Sequence, residues 1–113
     1  MREKRVGFKY KNKNFHINTR ECNFFERAVG LMFKSRNSEA LLFEFNKNVG
    51  LSIHSIFVFF PFFVLWLDDK DRVIEVRKVN PFTLSVSSKK PFRKIVEIPV
   101  NKKYSRLINV LRR

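Results

Sequence analysis

Residues 51–67 read LSIHSIFVFFPFFVLWL and contain no Asp, Glu, Lys or Arg. An uncharged run of this kind resembles a transmembrane helix, but its seventeen residues fall short of the ~20 that a spanning helix needs. Pro61 would interrupt such a helix, and Phe, Val and Ile, which favour strands, dominate the run. As a single strand it would extend about 56 Å at ~3.3 Å per residue, which is too long for an ordinary strand. The run therefore predicts two buried β-strands that divide near Pro61, in a chain without a membrane span.

Alternating apolar and polar side chains on both sides of this run predict further strands. Residues 5–10 and 14–18 alternate on either side of the turn residues Lys11, Asn12 and Lys13, which predicts an opening hairpin. The same pattern predicts strands at 41–45, 73–79, 83–87 and 95–100, a loop at 46–50 and a turn at 68–71. Residues 101–113 fit either a strand or a helical turn.

One short helix is predicted between the hairpin and these strands. Asn23 and Glu26 have the spacing of a capping box. Phe24, Ala28 and Leu31 follow at helical spacing and form an apolar stripe. Together these elements predict a single α+β domain over residues 1–113 that is mostly β.

Charge is concentrated at the two ends of the chain. The formal net charge is +14 over 113 residues. Residues 1–20 carry seven Lys or Arg against one acid, residues 89–113 carry nine against one, and the residues between carry eight of each. Cys22 is the single cysteine and no leader pattern opens the chain, so the sequence predicts a cytoplasmic protein without an internal disulfide.

This charge distribution is typical of a surface that attracts a polyanion such as nucleic acid or an acidic membrane. An alternative is that the many Lys, Asn and Phe residues reflect an A+T-rich coding bias, with the lysines forming an ordinary solvated surface. The predicted polyanion-binding residues are Lys89, Lys90, Arg93, Lys94, Lys102, Lys103, Arg106, Arg112 and Arg113, joined by Lys9, Lys11 and Lys13 from the hairpin.

Several motifs occur in order along the chain. The first is ERAVGLM at residues 26–32, followed by LFEF at 42–45. These two resemble the opening signature of an uncharacterised prokaryotic family, domain of unknown function 192. The central block at 53–68 is similar to the archaeal branch of that family, as are VIEV at 73–76, Asn80-Pro81, Lys90-Pro91 and VEIP at 96–99. The resemblance covers roughly residues 23–101. It implies a compact, mostly β α+β fold whose core is a curved, largely antiparallel sheet or a small barrel with one short helix. It implies no established activity.

The chain departs from the family pattern at three places. Phe63 stands where the family usually has Asp, so any polar role there is lost. Asn101 replaces a common Gly, and Asn also tolerates a left-handed backbone. The family's Gly-Asp ending is absent, which puts a last strand in doubt.

Candidate chemistry is sparse. His54 lies within the uncharged run and Trp66 near its end, while Arg27 and Glu97 are the polar members of family-like motifs. These four residues are a candidate pocket, although a core histidine, a core tryptophan and a structural pairing of Arg27 with Glu97 are the better explanations of them. No set of residues has the spacing of a metal site, a phosphate loop or a catalytic triad, and the sequence predicts neither metal nor cofactor.

Three functions from different classes remain open. A non-enzymatic domain that binds RNA or DNA through its basic ends is the leading interpretation. A small-molecule binder or enzyme would use the pocket near Arg27, His54 and Glu97. An assembly partner would use exposed Phe residues at a protein interface.

Overall fold

The structure, a computed structural model, describes residues 2–22, 31, 34–50, 52–53 and 58–112. The predicted helix after Asn23 lies outside the described residues, as do Arg27, His54 and Arg113. The described residues form eight strands and one α-helix: β1 (Arg2–Tyr10), β2 (Lys13–Glu21), β3 (Ala40–Val49), β4 (Ser52–Ile53), β5 (Phe62–Leu67), β6 (Val73–Val79), β7 (Val86–Ser87), β8 (Phe92–Pro99) and α1 (Ser105–Leu111). A single 3-10 turn, Lys102–Tyr104, leads into α1.

Six strands form one curved sheet in the order β1-β2-β3-β8-β5-β6. Its pairs are antiparallel except β2 and β3, which run parallel through residues 19–21 and 40–42. The sheet curls so far that its two outer strands meet at one point. There the Lys9 amide donates to the Asp71 carbonyl at 2.9 Å. The backbones of Lys9 and Arg72 form an isolated parallel β-bridge at the same point. The predicted curved, largely antiparallel fold is confirmed as a six-stranded half-barrel.

The opening hairpin is confirmed and is longer than predicted. Lys11 and Asn12 form its two-residue turn with φ angles of 50° and 65°. Two successive positive φ values match the twist of the flanking strands, and Asn accepts this conformation at low cost. The strands reach Arg2 and Glu21, whose side chains form an ion pair at 2.7 Å.

The second half of the uncharged run is the central strand β5. All six of its residues are buried, because β5 lies between β8 and β6 and both of its faces are covered. Phe63, Leu65 and Leu67 pack into the core on one face, whereas Phe62, Val64 and Trp66 pack into a second core on the other. A strand buried on both faces has no position for a charge, which explains the composition of this segment.

The first half of the run differs from the prediction of a full strand. Only Ser52 and Ile53 form a strand among its described residues, and they pair with β7 in a separate two-stranded sheet. The predicted loop at 46–50 was also wrong, because β3 continues to Val49 beside β8. The predicted strand at 83–87 shortens to Val86–Ser87. Among the residues that the structure describes, no helix has the length and apolar character needed to cross a membrane.

The C-terminal segment, ambiguous in sequence, is helical and fills the concave side of the sheet. Leu107, Ile108 and Leu111 of α1 pack against Val6 and Phe8 of β1 in the first core. Tyr104 enters the same core, and its hydroxyl accepts a hydrogen bond from the Ala40 amide at 2.7 Å. The hydroxyl also lies 3.4 Å from the Asn18 carbonyl, to which it donates. This one side chain therefore joins the start of α1 to β2 and β3.

We expect Tyr104→Phe to reduce the free energy of unfolding by about 1–3 kcal/mol, because it leaves the buried Ala40 amide without its acceptor. Urea denaturation of both proteins would measure the loss. Ser105→Ala is the control, since Ser105 is exposed at the neighbouring position. Equal stability of the Tyr104→Phe variant and the wild type would show that the hydroxyl contributes nothing to the junction.

Candidate functional site

Asn101 ties the C-terminal segment to the chain before β3. Its side-chain oxygen accepts from the Lys103 amide at 3.0 Å, as in a helix cap. Its side-chain nitrogen donates to the carbonyls of Arg36 at 2.8 Å and Ser38 at 3.1 Å. The left-handed backbone expected for Asn101 is not used, because its φ of −150° is extended. An Asn at this position therefore acts through its amide group and not through backbone freedom.

This junction places six cationic residues on two adjoining segments, residues 34–38 and 101–112. Neither segment contains an acid. Within the described part of the chain, none of the six forms an ion pair. We call this set the helical basic surface: Lys34, Arg36, Lys102, Lys103, Arg106 and Arg112.

The exposed side of α1 continues this surface along one stripe. Lys102, Arg106 and Asn109 follow at helical spacing and are exposed. Leu107, Ile108 and Leu111 occupy the opposite side and are buried. The apolar face thus fixes the orientation of the helix and directs its cations to solvent.

An open groove of about 440 Å³ borders the helical basic surface. Lys103 and Tyr104 form one wall, and His16 and Arg5 lie on the other side. Two acids, Glu3 and Glu39, also line it. The Glu39 carboxylate pairs with Arg20 at 3.1 Å, so its charge is largely compensated.

The other predicted polyanion-binding residues lie elsewhere. Lys89 and Lys90 precede β8, where the Lys89 amide donates to the Glu75 carboxylate at 2.9 Å. Arg93 donates through Nε to the Phe45 carbonyl at 3.3 Å, and Lys94 pairs with Asp71 at 2.8 Å. Lys89 and Lys90 lie before β8 and Lys102 lies after it, so the eight residues of the strand, about 23 Å from first to last at ~3.3 Å per residue, separate them; Arg93 and Lys94 lie near the start of the same strand. The predicted set is therefore divided between the two ends of one strand.

Of the three hairpin cations, Lys9 lies near Lys94. Lys9 lies beside Asp71 and Arg72 at the closure of the sheet, close to Lys94 on the same Asp71. Lys11 lies over the Tyr10 ring at 5.3 Å from its centroid. Lys13 is exposed. Several acids of the 68–71 turn accompany these cations, so this region is less positive than the helical basic surface.

Two residues of the predicted pocket lie close together on one face of the sheet. Glu97 lies opposite Val64, and Trp66 lies opposite Ile95, so the two side chains are diagonal neighbours on β8 and β5. Both are buried, and no described residue forms a hydrogen bond with the Trp66 indole nitrogen. Burial raises the pKa of Glu97 to about 8. Arg27 and His54 lie outside the described residues, and the described part of the chain holds no cluster of metal-ligating side chains.

Among the described residues, three large apolar side chains are exposed to solvent. Phe59, Phe82 and Leu84 are 57%, 58% and 79% exposed, and the two Phe rings meet edge to face at 5.5 Å. We call them the apolar patch. The Val100 amide donates to the Pro61 carbonyl at 3.1 Å. Phe59 is two residues before Pro61 and Lys102 is two residues after Val100, so this bond joins the segment that leads to the patch with the segment that leads to the helical basic surface.

Sequence reasoning missed Lys34 and Arg36 as members of the site. Arg36 and Asn101 are 65 residues apart in sequence, and no local spacing links them. The apolar patch was missed for a related reason, because a Phe-rich sequence does not show which rings the core leaves out.

Comparisons with known proteins agree with this fold. The family model of domain of unknown function 192, described as an uncharacterized ACR, matches residues 9–109. A UPF0127 protein of Pyrococcus horikoshii, PH1112, is 31% identical over 78 residues, which are 68% of this chain and 67% of the relative.

Two crystal structures share the architecture. One is a protein of Sinorhizobium meliloti described as a candidate transcription regulator, with a TM-score of 0.78 and 15% identity over 94% of this chain and 86% of the other. The second is a protein of unknown function from Novosphingobium aromaticivorans, with a TM-score of 0.74 and 18% identity over 91% and 76% of the two chains. At these identities the likeness concerns the fold alone.

Proposed function

Because the chain belongs to the domain of unknown function 192 family, whose description assigns no activity, we propose a function from its own surface: it binds nucleic acid through the helical basic surface. The observation that carries the proposal is the junction at Asn101, which joins two acid-free segments and gathers their six cations. The structural likeness to the candidate regulator of S. meliloti does not enter the argument.

The electrostatics of this surface suit a phosphate backbone. Lys102, Arg106 and Arg112 are exposed and make no ion pair within the described chain, so no internal contact must break before they meet phosphates. Each neutralised phosphate releases condensed counterions, which supplies most of the affinity in sequence-independent binding. The surface offers no arrangement for reading base edges, so the proposal is for binding without sequence specificity.

The cations that lie beside the acids of residues 68–75 fit this role less well. Lys94 is engaged by Asp71 and Arg72 by Asp68 at 2.8 Å each, and Arg77 pairs with Glu75 at 2.9 Å. A phosphate would have to compete with these carboxylates. The helical basic surface has no such competition from its own segments.

A charge-matched pair of variants tests the proposal. We expect Lys102→Ala with Arg106→Ala and Arg112→Ala to weaken binding of a labelled single-stranded RNA of about twelve nucleotides at least tenfold in low salt, because three phosphate contacts are lost. The control is Lys13→Ala with Lys47→Ala and Lys70→Ala, which removes equal charge from exposed positions elsewhere. Fluorescence anisotropy measures both. Equal weakening by the two variants would assign binding to net charge and contradict a local site.

A further inference from the structure

The backbone of Phe82 is strained in a way that presents its ring to solvent. Phe82 has a φ of 62°, a conformation that a bulky residue rarely adopts. It follows Pro81 in a turn whose third position usually holds Gly when φ is positive. The Thr83 hydroxyl donates to the Asn80 carbonyl at 2.8 Å and holds the turn closed. Strain at an exposed aromatic residue points to a role outside folding.

A ligand proposed for the Phe82 ring has to account for the exposure of the ring and for the residues near it in the chain. Phe82 and Phe59 lie edge to face, so their remaining faces and edges are presented together, and Leu84, two residues after Phe82, is exposed as well. Between residue 76 and Arg112 the chain has a single acid, Glu97, which is buried. The segment that carries Phe82 and Leu84 is thus rich in cations and poor in acids, which suits a ligand that combines flat apolar groups with negative charge.

From this combination we infer that the protein binds nucleic acid in single-stranded form, with unpaired bases stacked on Phe82 and Phe59. The inference rests on the proposed function, since the helical basic surface would hold the phosphates of the same strand. Unpaired bases expose their faces for stacking on aromatic rings, whereas the bases of a duplex are stacked on each other. The hydrogen bond between Val100 and Pro61 joins the segments that lead to the two surfaces, and one strand of about twelve nucleotides is long enough to reach from one to the other.

Phe82→Gly tests the inference without weakening the fold. Gly adopts a positive φ without strain, so we expect a melting temperature equal to or above that of the wild type. We also expect the affinity for the twelve-nucleotide RNA to fall about tenfold, while the affinity for a duplex of the same length stays unchanged. Phe59→Ala, at the partner ring, should give the same selective loss.

The outcomes separate this inference from the function on which it rests. If the wild type binds neither RNA nor duplex in low salt, the proposed function fails. If it binds both equally and Phe82→Gly changes neither affinity, the inference is overturned while nucleic-acid binding stands. Binding to phosphatidylserine vesicles is the third measurement, beside binding to RNA and to duplex. Vesicle binding that Phe82→Gly abolishes, with RNA binding unaffected, would assign the apolar patch to a lipid surface and overturn the inference.

Discussion

Val64→Asp and Leu65→Asp are each expected to unfold the protein, although their side chains point to opposite faces of β5. Both residues are fully buried, and each packs in a different core. A carboxylate in either place would be moved from water into an apolar core, which costs about 4 kcal/mol or more. That is a large part of the 5–15 kcal/mol that typically stabilises a domain of this kind. Circular dichroism and urea denaturation would measure the loss.

Leu84→Asp is the control for this pair of substitutions. Leu84 is 79% exposed, so its replacement should change the free energy of unfolding by less than about 0.5 kcal/mol. A strand covered on one face only would tolerate Asp at one of the two positions. Near-native stability of either the Val64→Asp or the Leu65→Asp protein would therefore contradict burial on both faces.

The stability of the protein is expected to fall as the pH rises from about 5 to about 8, because of Glu97. Burial raises the pKa of this carboxyl to about 8, from an ordinary value of 4.5. Between these two values the unfolded chain loses the proton and the folded protein keeps it. The stabilisation is thus fully present below the unfolded pKa and is lost as the pH rises through the folded one. The loss amounts to a few kcal/mol, measurable by urea denaturation at several pH values.

Glu97→Gln separates this effect from other titrating groups. Gln has the shape of the protonated acid and does not ionise, so the variant should lack the component of the pH dependence that Glu97 contributes. Any pH dependence that comes from other groups is common to both proteins. If the wild type and the variant have the same profile between pH 5 and 8, Glu97 is ionised in the folded state. A pairing with Arg27, which the sequence suggests, would produce that result.

The elements that sequence reasoning predicted well are those that local chemistry determines. The opening hairpin follows from alternation around Asn12, and β5 follows from the absence of charge after Pro61. The prediction for the first half of the uncharged run was wrong because Ser52 and Ile53 pair with β7, which is far away in sequence. Composition identifies a buried segment, but strand pairing over such distances depends on the whole fold.

The candidate site was predicted only in part for the same reason. Lys102, Lys103, Arg106 and Arg112 were expected to bind a polyanion, and they lie on the helical basic surface. Their association with Arg36 depends on the amide of Asn101, which sequence reasoning had considered only for its backbone. Exposure of Phe82 depends on a strained turn that no residue preference indicates, since Gly is the residue expected there.

The salt dependence of RNA binding tests the proposed interface most directly. The logarithm of the association constant would be measured against the logarithm of salt concentration, from about 50 to 200 mM. For the wild type we expect a steep linear fall. For Lys102→Ala with Arg106→Ala and Arg112→Ala we expect a slope smaller by about 2, since each phosphate contact on a single strand contributes about 0.7. An unchanged slope in this variant would contradict the assignment of phosphate contacts to the helical basic surface.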